Sequence, residues 1–162
     1  DVSGNIVAWS KISRIALWRE ADLGFAEHKA YEDQVVAQRL YTAARAIDVV
    51  PDVVILWRER ADGTSITQRR HALPVLQDYL DGLRGGLDVL DRAAHGDAAR
   101  ARVRLILDMD VPALVRVAEH HPDDVYRQLL GVFTRDLSDR AVRENVTLDE
   151  ASASLLAEAR TW

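Results

Sequence analysis

The chain has 162 residues, 48% hydrophobic and 29% charged, which fits one globular domain or a small domain with an appendage. Its 21 basic and 26 acidic side chains leave a net charge of −5, which argues against non-specific nucleic-acid binding through a positive surface. Cysteine is absent, which excludes a disulfide framework, a thiolate zinc site and a cysteine nucleophile; no apolar run reaches the roughly 18 residues of a spanning helix.

Residues 5–22 open on Ile6-Val7-Ala8-Trp9 and continue with Ile12, Ile15, Ala16 and Leu17 at near-helical spacing, predicting a strand-like entry and a short helix. From Tyr31 to Ala46, Val35, Val36, Leu40, Ala43 and Ala44 recur at three- and four-residue intervals, so a one-sided helix is expected with Glu32 and Asp33 in its first turn. There the helix dipole stabilises the carboxylates, and only their surroundings can make one of them a useful base. The β-branched runs 47–50 and 53–57, split by Pro51-Asp52, predict two strands, and Asp62-Gly63 a tight exit into a polar loop.

Beyond residue 69 the pattern is helical, with segments expected near 70–83, 85–94, 97–108, 112–120, 123–144 and 148–160. Gly85-Gly86 and His95-Gly96-Asp97 read as breaks, Pro112 and Pro122 suit early helical positions, and Thr147-Leu148-Asp149-Glu150 matches a capping box.

Two short segments carry the chemistry. Tyr31-Glu32-Asp33 pairs two carboxylates, one of which can act as a base while the other orients it. The second runs from Trp57 to Gln68. Its Arg58 and Arg60 would project from one face of a strand and suit two-point contact with an anion; Ser65, Thr67 and Gln68 add small hydrogen-bonding groups. An acidic helix start, a charge-protected strand edge and a plain polar loop account for the same residues without chemistry. Trp9 and Trp18 suit either a sugar platform or the core.

In their order, Val7-Ala8-Trp9-Ser10-Lys11-Ile12-Ser13-Arg14, Phe25-Ala26-Glu27, the Glu32-Asp33 pair and the Arg58-Glu59-Arg60…Ser65-Ile66-Thr67-Gln68 loop resemble the C-terminal half of family 2 inverting glycosyltransferases with the GT-A fold. The subgroup resembled is that of bacterial teichoic-acid and capsule polymerases; the family's Asn before the lysine is Ser10 here. The resemblance implies a mainly α chain with a small β component: an acceptor-side α/β half-domain over 1–68, then a helical bundle or extension over 69–162. It further implies Asp33 as general base with Glu32 beside it, Arg58, Arg60, Ser65, Thr67 and Gln68 as substrate-binding residues, and a nucleotide-sugar donor. A cell-envelope glycopolymer acceptor and a divalent metal, Mg or Mn, complete the expectation, the metal's ligands and the donor-binding half lying outside this segment. The chain, starting at Asp1 without a methionine, is thus expected to be part of a longer protein, cytoplasmic or at the inner face of a bacterial membrane, with the isolated segment inactive.

Two other readings compete. Residues 1–68 could be a structural remnant attached to a non-catalytic helical interaction module. Arg116 and His121 also match the loose Arg-x4-His pattern of the all-helical HEPN ribonucleases. Asp108-Met109-Asp110 spells a metal-binding Asp-x-Asp, but its place past the start of the helical region reads as a helix end. Glu119 and the adjacent His120 and His121 do not converge on one ion from a helix and read as a helix C-terminus.

Overall fold

The computed structural model describes residues 4–56, 61 and 66–162. The first helices are a 3-10 turn Ala8–Ser10, α1 Ile15–Glu20 and α2 Asp33–Ala43. A second 3-10 turn, Ile66–Arg69, leads into α3 Leu73–Arg92. The chain continues through α4 Gly96–Leu105, a π turn Ile106–Asp110, α5 Val111–Ala118, α6 Asp124–Arg143 and α7 Glu150–Ala159.

The core follows from side-chain spacing. Leu76, Leu80, Leu83 and Leu87 of α3 recur every three or four residues and are buried, as are Tyr126, Leu130, Phe133 and Leu137 of α6. These two stripes close on Val103, Ile106, Leu107, Val111 and Leu114 of the α4–α5 run and on Leu156 of α7. Helix ends are satisfied locally: Asp123 accepts the Val125 N–H at 2.9 Å and Asp149 accepts the Ser152 N–H at 2.8 Å. Helices α3 and α6 stop at Ala94 (φ 58°) and Asn145 (φ 55°), where the next residue's N–H returns to Leu90 O and Ala141 O.

Several expectations are corrected. Among the described residues there is no strand, so the GT-A half-domain with a small β component is not what this chain forms. Residues 6–7 lead into a 3-10 turn, and residues 46–56 carry no regular structure although rich in β-branched side chains. β-Branched side chains favour a strand only where a neighbouring strand takes up the backbone hydrogen bonds, and here none does. Gly85-Gly86 does not break a helix, because α3 runs through it. The cap of α7 is Asp149, two residues into the box expected from Thr147.

Asp108-Met109-Asp110 is likewise no helix end, since the backbone stays helical from α4 through the π turn into α5. Pro112 explains the π turn: it has no N–H to give the Asp108 carbonyl in the α register. The Ser152 hydroxyl of α7 donates to that carbonyl instead, at 3.2 Å.

Helix α2 lies against a glycine face of α3. A Cβ on Gly82 would stand 3.2 Å from Gln34 Cβ and Cγ, and one on Gly85 would stand 2.7 Å from Val35 Cγ2. Glycine inside a helix is destabilising by about 1 kcal/mol relative to alanine, so these positions lose propensity in exchange for close helix approach. Val36, Ala37 and Leu40 are buried in the same region, and Arg39 donates to the Ala21 and Asp22 carbonyls, tying α1 to α2. No described helix is long and apolar enough to cross a membrane.

Candidate functional site

Glu32 is the N-cap residue of α2 and Asp33 its first helical residue, so the acid pair does open a helix. The turn before it is constrained. Tyr31 takes φ 58°, a left-handed backbone that disfavours a bulky side chain and holds only where neighbours over-determine it. Three of them are on α3. Asp78 accepts the Ala30 N–H at 3.0 Å and the Lys29 ammonium at 2.7 Å, the Tyr79 ring lies 4.2 Å from that of Tyr31, and Gly82 leaves space for the Tyr31 carbonyl. Lys29 and the Ala30 N–H hold the Asp78 carboxyl below the usual carboxylate range.

Asp33 is half-buried, and its Oδ2 accepts the Ala8 N–H at 3.2 Å. Burial pushes its carboxyl above the usual range; Glu32 adds to this, while the Ala8 N–H and Lys11 oppose it. Two turns along α2, Tyr41 donates to the Asn5 carbonyl at 2.6 Å, so the segment 5–8 is clamped at both ends. Lys11 follows that segment. Its ammonium donates to Val7 O at 2.6 Å and Asn5 Oδ1 at 3.2 Å, and sits 5.5 Å from the Tyr41 ring centre. Burial lowers its pKa to about 8 against the attraction of Asp33.

A cavity of about 50 Å³ opens beside Lys11, lined also by Ala8, by Trp18 and Phe25, and by Val36 and Ala37 one turn beyond Asp33, which is not itself among the lining residues. Trp18 and Phe25 face each other with ring centres 5.5 Å apart, and the Trp18 indole N–H donates to Ser13 Oγ at 2.6 Å. Trp18 is therefore half-buried at a site wall and Trp9 is half-exposed; neither belongs to the main core.

The second predicted segment is only partly within view. Arg58, Arg60 and Ser65 lie outside the described residues, as does the side chain of Thr67. Gln68 is half-buried in the 3-10 turn Ile66–Arg69. That turn delivers Arg70, whose charge acts on Tyr31, Asp110 and Tyr126, so the end of the loop is brought to the residue preceding the acid pair.

Of four residues that meet beside the acid pair, Gln34, Tyr79 and Arg102 were not picked out in the sequence, and Asp110 was read only as part of an Asp-x-Asp at a helix end. Gln34 is 2% exposed, and its Oε1 accepts from Arg102 at 3.0 Å. Arg102, itself 5% exposed, also faces Asp110 Oδ2 at 3.4 Å, and the Tyr79 hydroxyl donates to Asp110 Oδ1 at 2.6 Å. The available signal was Arg102 itself. It stands on the apolar face of its helix with Ala99, Val103 and Ile106, where an arginine needs a buried partner.

Within one chain the nuclease pair is not brought into contact. Arg116 is exposed, whereas the His121 ring stacks on Tyr126 at 4.3 Å and bonds through Nε2 to the His71 carbonyl at 2.8 Å. Nor do any three His, Asp or Glu side chains converge as a metal site among the described residues. Asp108 bonds Arg104 and the Asp149 N–H, and Asp110 turns to Tyr79 and Arg102. Comparison with protein-family models, curated proteins and solved structures gives no match.

Proposed function

We propose that Asp33 is the proton-accepting carboxylate of an inverting glycosyl transfer, and that the segment 1–68, in which it lies, supplies the acceptor side of that site. The observation that carries this reading is the setting of Asp33: a half-buried carboxylate raised above its ordinary range, fixed by the N–H of Ala8 and within electrostatic reach of Lys11, two residues that line an aromatic-walled cavity. A raised carboxylate is the stronger base, and holding it beside an acceptor hydroxyl is what a single-base displacement requires. Trp18 and Phe25 offer apolar faces of the kind that sugar rings pack against. A purely structural remnant would leave Asp33 pointing into solvent, which its Ala8 bond and burial do not favour.

By resemblance the donor is a nucleotide-sugar and the acceptor a glycopolymer of the bacterial cell envelope, met at the inner face of the membrane. The divalent ion that the resemblance implies finds no ligand set among the described residues, so the role given to them is acceptor activation alone. Binding of the donor and support of its leaving diphosphate fall to other residues, with Arg58, Arg60 and the Ser65–Gln68 loop the candidates nearest in sequence.

In the intact protein that carries this segment, Asp33→Asn should lower transfer from a nucleotide-sugar by roughly 10²–10⁴-fold, the range of general-base contributions. Donor affinity, read by calorimetry, should stay within about twofold. Retained turnover in the variant would remove Asp33 from the mechanism.

A further inference from the structure

We propose that Tyr79, Asp110 and Arg102, half-buried at the first two and buried at the third, form a positioning hub that sets the first turn of α2, and with it Asp33, against the loop end at Arg70. The proposal rests on the reading of Asp33 as the base, and it assigns the helical region a part in the site. The three residues come from α3, the π turn and α4, and meet beneath the Tyr31–Gln34 segment.

The hub works by division of one cation between two acceptors. Arg102 Nη2 lies 3.0 Å from Gln34 Oε1 and 3.4 Å from Asp110 Oδ2, so the neutral amide holds the shorter bond although the carboxylate is the stronger acceptor. Tyr79 explains the balance, because its hydroxyl donates to the other oxygen of Asp110 at 2.6 Å and satisfies part of that charge. Arg102 is thereby left to Gln34, the residue after Asp33. The Tyr79 ring meanwhile lies against Tyr31, two residues before Asp33. One residue thus supports both flanks of the acid pair, by contact on one side and through Asp110 and Arg102 on the other.

The same cluster reaches the loop. Tyr31 feels the opposing charges of Arg70 and Asp110, with Asp33 a further contributor, and the Tyr126 hydroxyl donates to the Arg70 carbonyl at 2.9 Å. The π turn itself carries Asp110 and brings it onto the side of Arg102 in α4. It inserts one residue into the helical register between them, and such turns are frequent at functional sites.

The test is amide hydrogen exchange on the full chain carrying Tyr79→Phe, which deletes the hydroxyl and keeps the ring. Without that donor, Asp110 should draw Arg102 away from Gln34. Exchange at the Gln34 amide, which donates to Tyr31 O, should then speed up by tenfold or more while the Leu130 to Leu137 amides of α6 keep their protection. Unchanged exchange at Gln34 in the folded variant overturns the hub. Should Tyr79→Phe fail to fold, Arg102→Lys provides the same readout, since the shorter lysine cannot place its nitrogen where Arg102 Nη2 stands between the two acceptors.

Turnover separates the hub from the catalytic reading. In the intact protein Tyr79→Phe should lower kcat about tenfold with KM little changed, as expected when a reacting group is displaced but not removed. Faster Gln34 exchange alongside full activity of Asp33→Asn would leave the hub standing and defeat the base assignment. Slow exchange with an inactive Asp33→Asn would do the reverse.

Discussion

The Ala8 N–H gives one hydrogen bond to a carboxylate that burial has stripped of part of its water, and the balance leaves Asp33 with a raised affinity for its proton. The consequence for stability has a definite sign. Between the ordinary aspartate range and the raised folded value the native state holds more protons than the unfolded chain, so stability falls as pH rises through that window and stays lower above it. Asp33→Asn should therefore raise stability at pH 7, by at most about 1 kcal/mol or roughly 2–4 °C in Tm, with the gain vanishing near pH 3. Thermal melts of both proteins at the two pH values decide this; a lower Tm for the variant at pH 7 would show that the carboxylate is structural. Lys11 adds a second test. Its positive charge lowers the Asp33 pKa, so Lys11→Gln should move the rising limb of the pH–rate profile to higher pH.

The glycine face of α3 decides how close α2 can come, and hence where its first turn lies. Gly85 and Gly86 make a controlled pair, being neighbours on one helix with different surroundings. A methyl on Gly86 would meet Gln38 Cγ at 3.4 Å, ordinary contact, whereas one on Gly85 would meet the stiff β-branched Val35 at 2.7 Å. Gly86→Ala should be neutral or stabilising by up to about 1 kcal/mol through helix propensity. Gly85→Ala should lose that gain to overpacking and come out destabilised by about 1–2 kcal/mol in urea unfolding. Equal effects would mean that α2 is not seated on this face. The pair also shows what was legible at this scale. Spacing located α2 and most helices after residue 69 to within a few residues, yet the same glycines read as a break, because a sequence does not say whether a glycine bends a helix or admits a neighbour.

Across the whole molecule, two environments are unlike each other. The helical core holds almost fully buried leucines, whereas residues 47–56 leave Val49 at 75%, Val53 at 83% and Leu56 at 90% exposure. A stretch this apolar and exposed favours self-association. Val53→Lys with Leu56→Lys should shift unfolding free energy by no more than about 0.5 kcal/mol, because neither side chain packs, while lowering concentration-dependent association in sedimentation velocity. A large loss of stability would show that the stretch is packed in solution. The molecule as a whole also joins the regions on either side of residue 68. The acid pair sits on α2, but its flanks are held by Asp78, Tyr79 and Arg102 from beyond that residue.

Periodicity alone determined the helical character of the region after residue 69 and the position of Glu32 and Asp33 at a helix start, because a one-sided apolar stripe and its end are local properties of the chain. Tertiary structure decided the rest. Whether residues 47–56 form strands depends on partners that no local pattern supplies. The ionisation of Asp33 depends first on burial by the packed chain and then on an opposing backbone N–H 25 residues away. Its support by Tyr79, Asp110 and Arg102 arises only when three helical segments meet. Burial and charge separation are properties of the packed chain, and they turn an ordinary acidic turn into a candidate base.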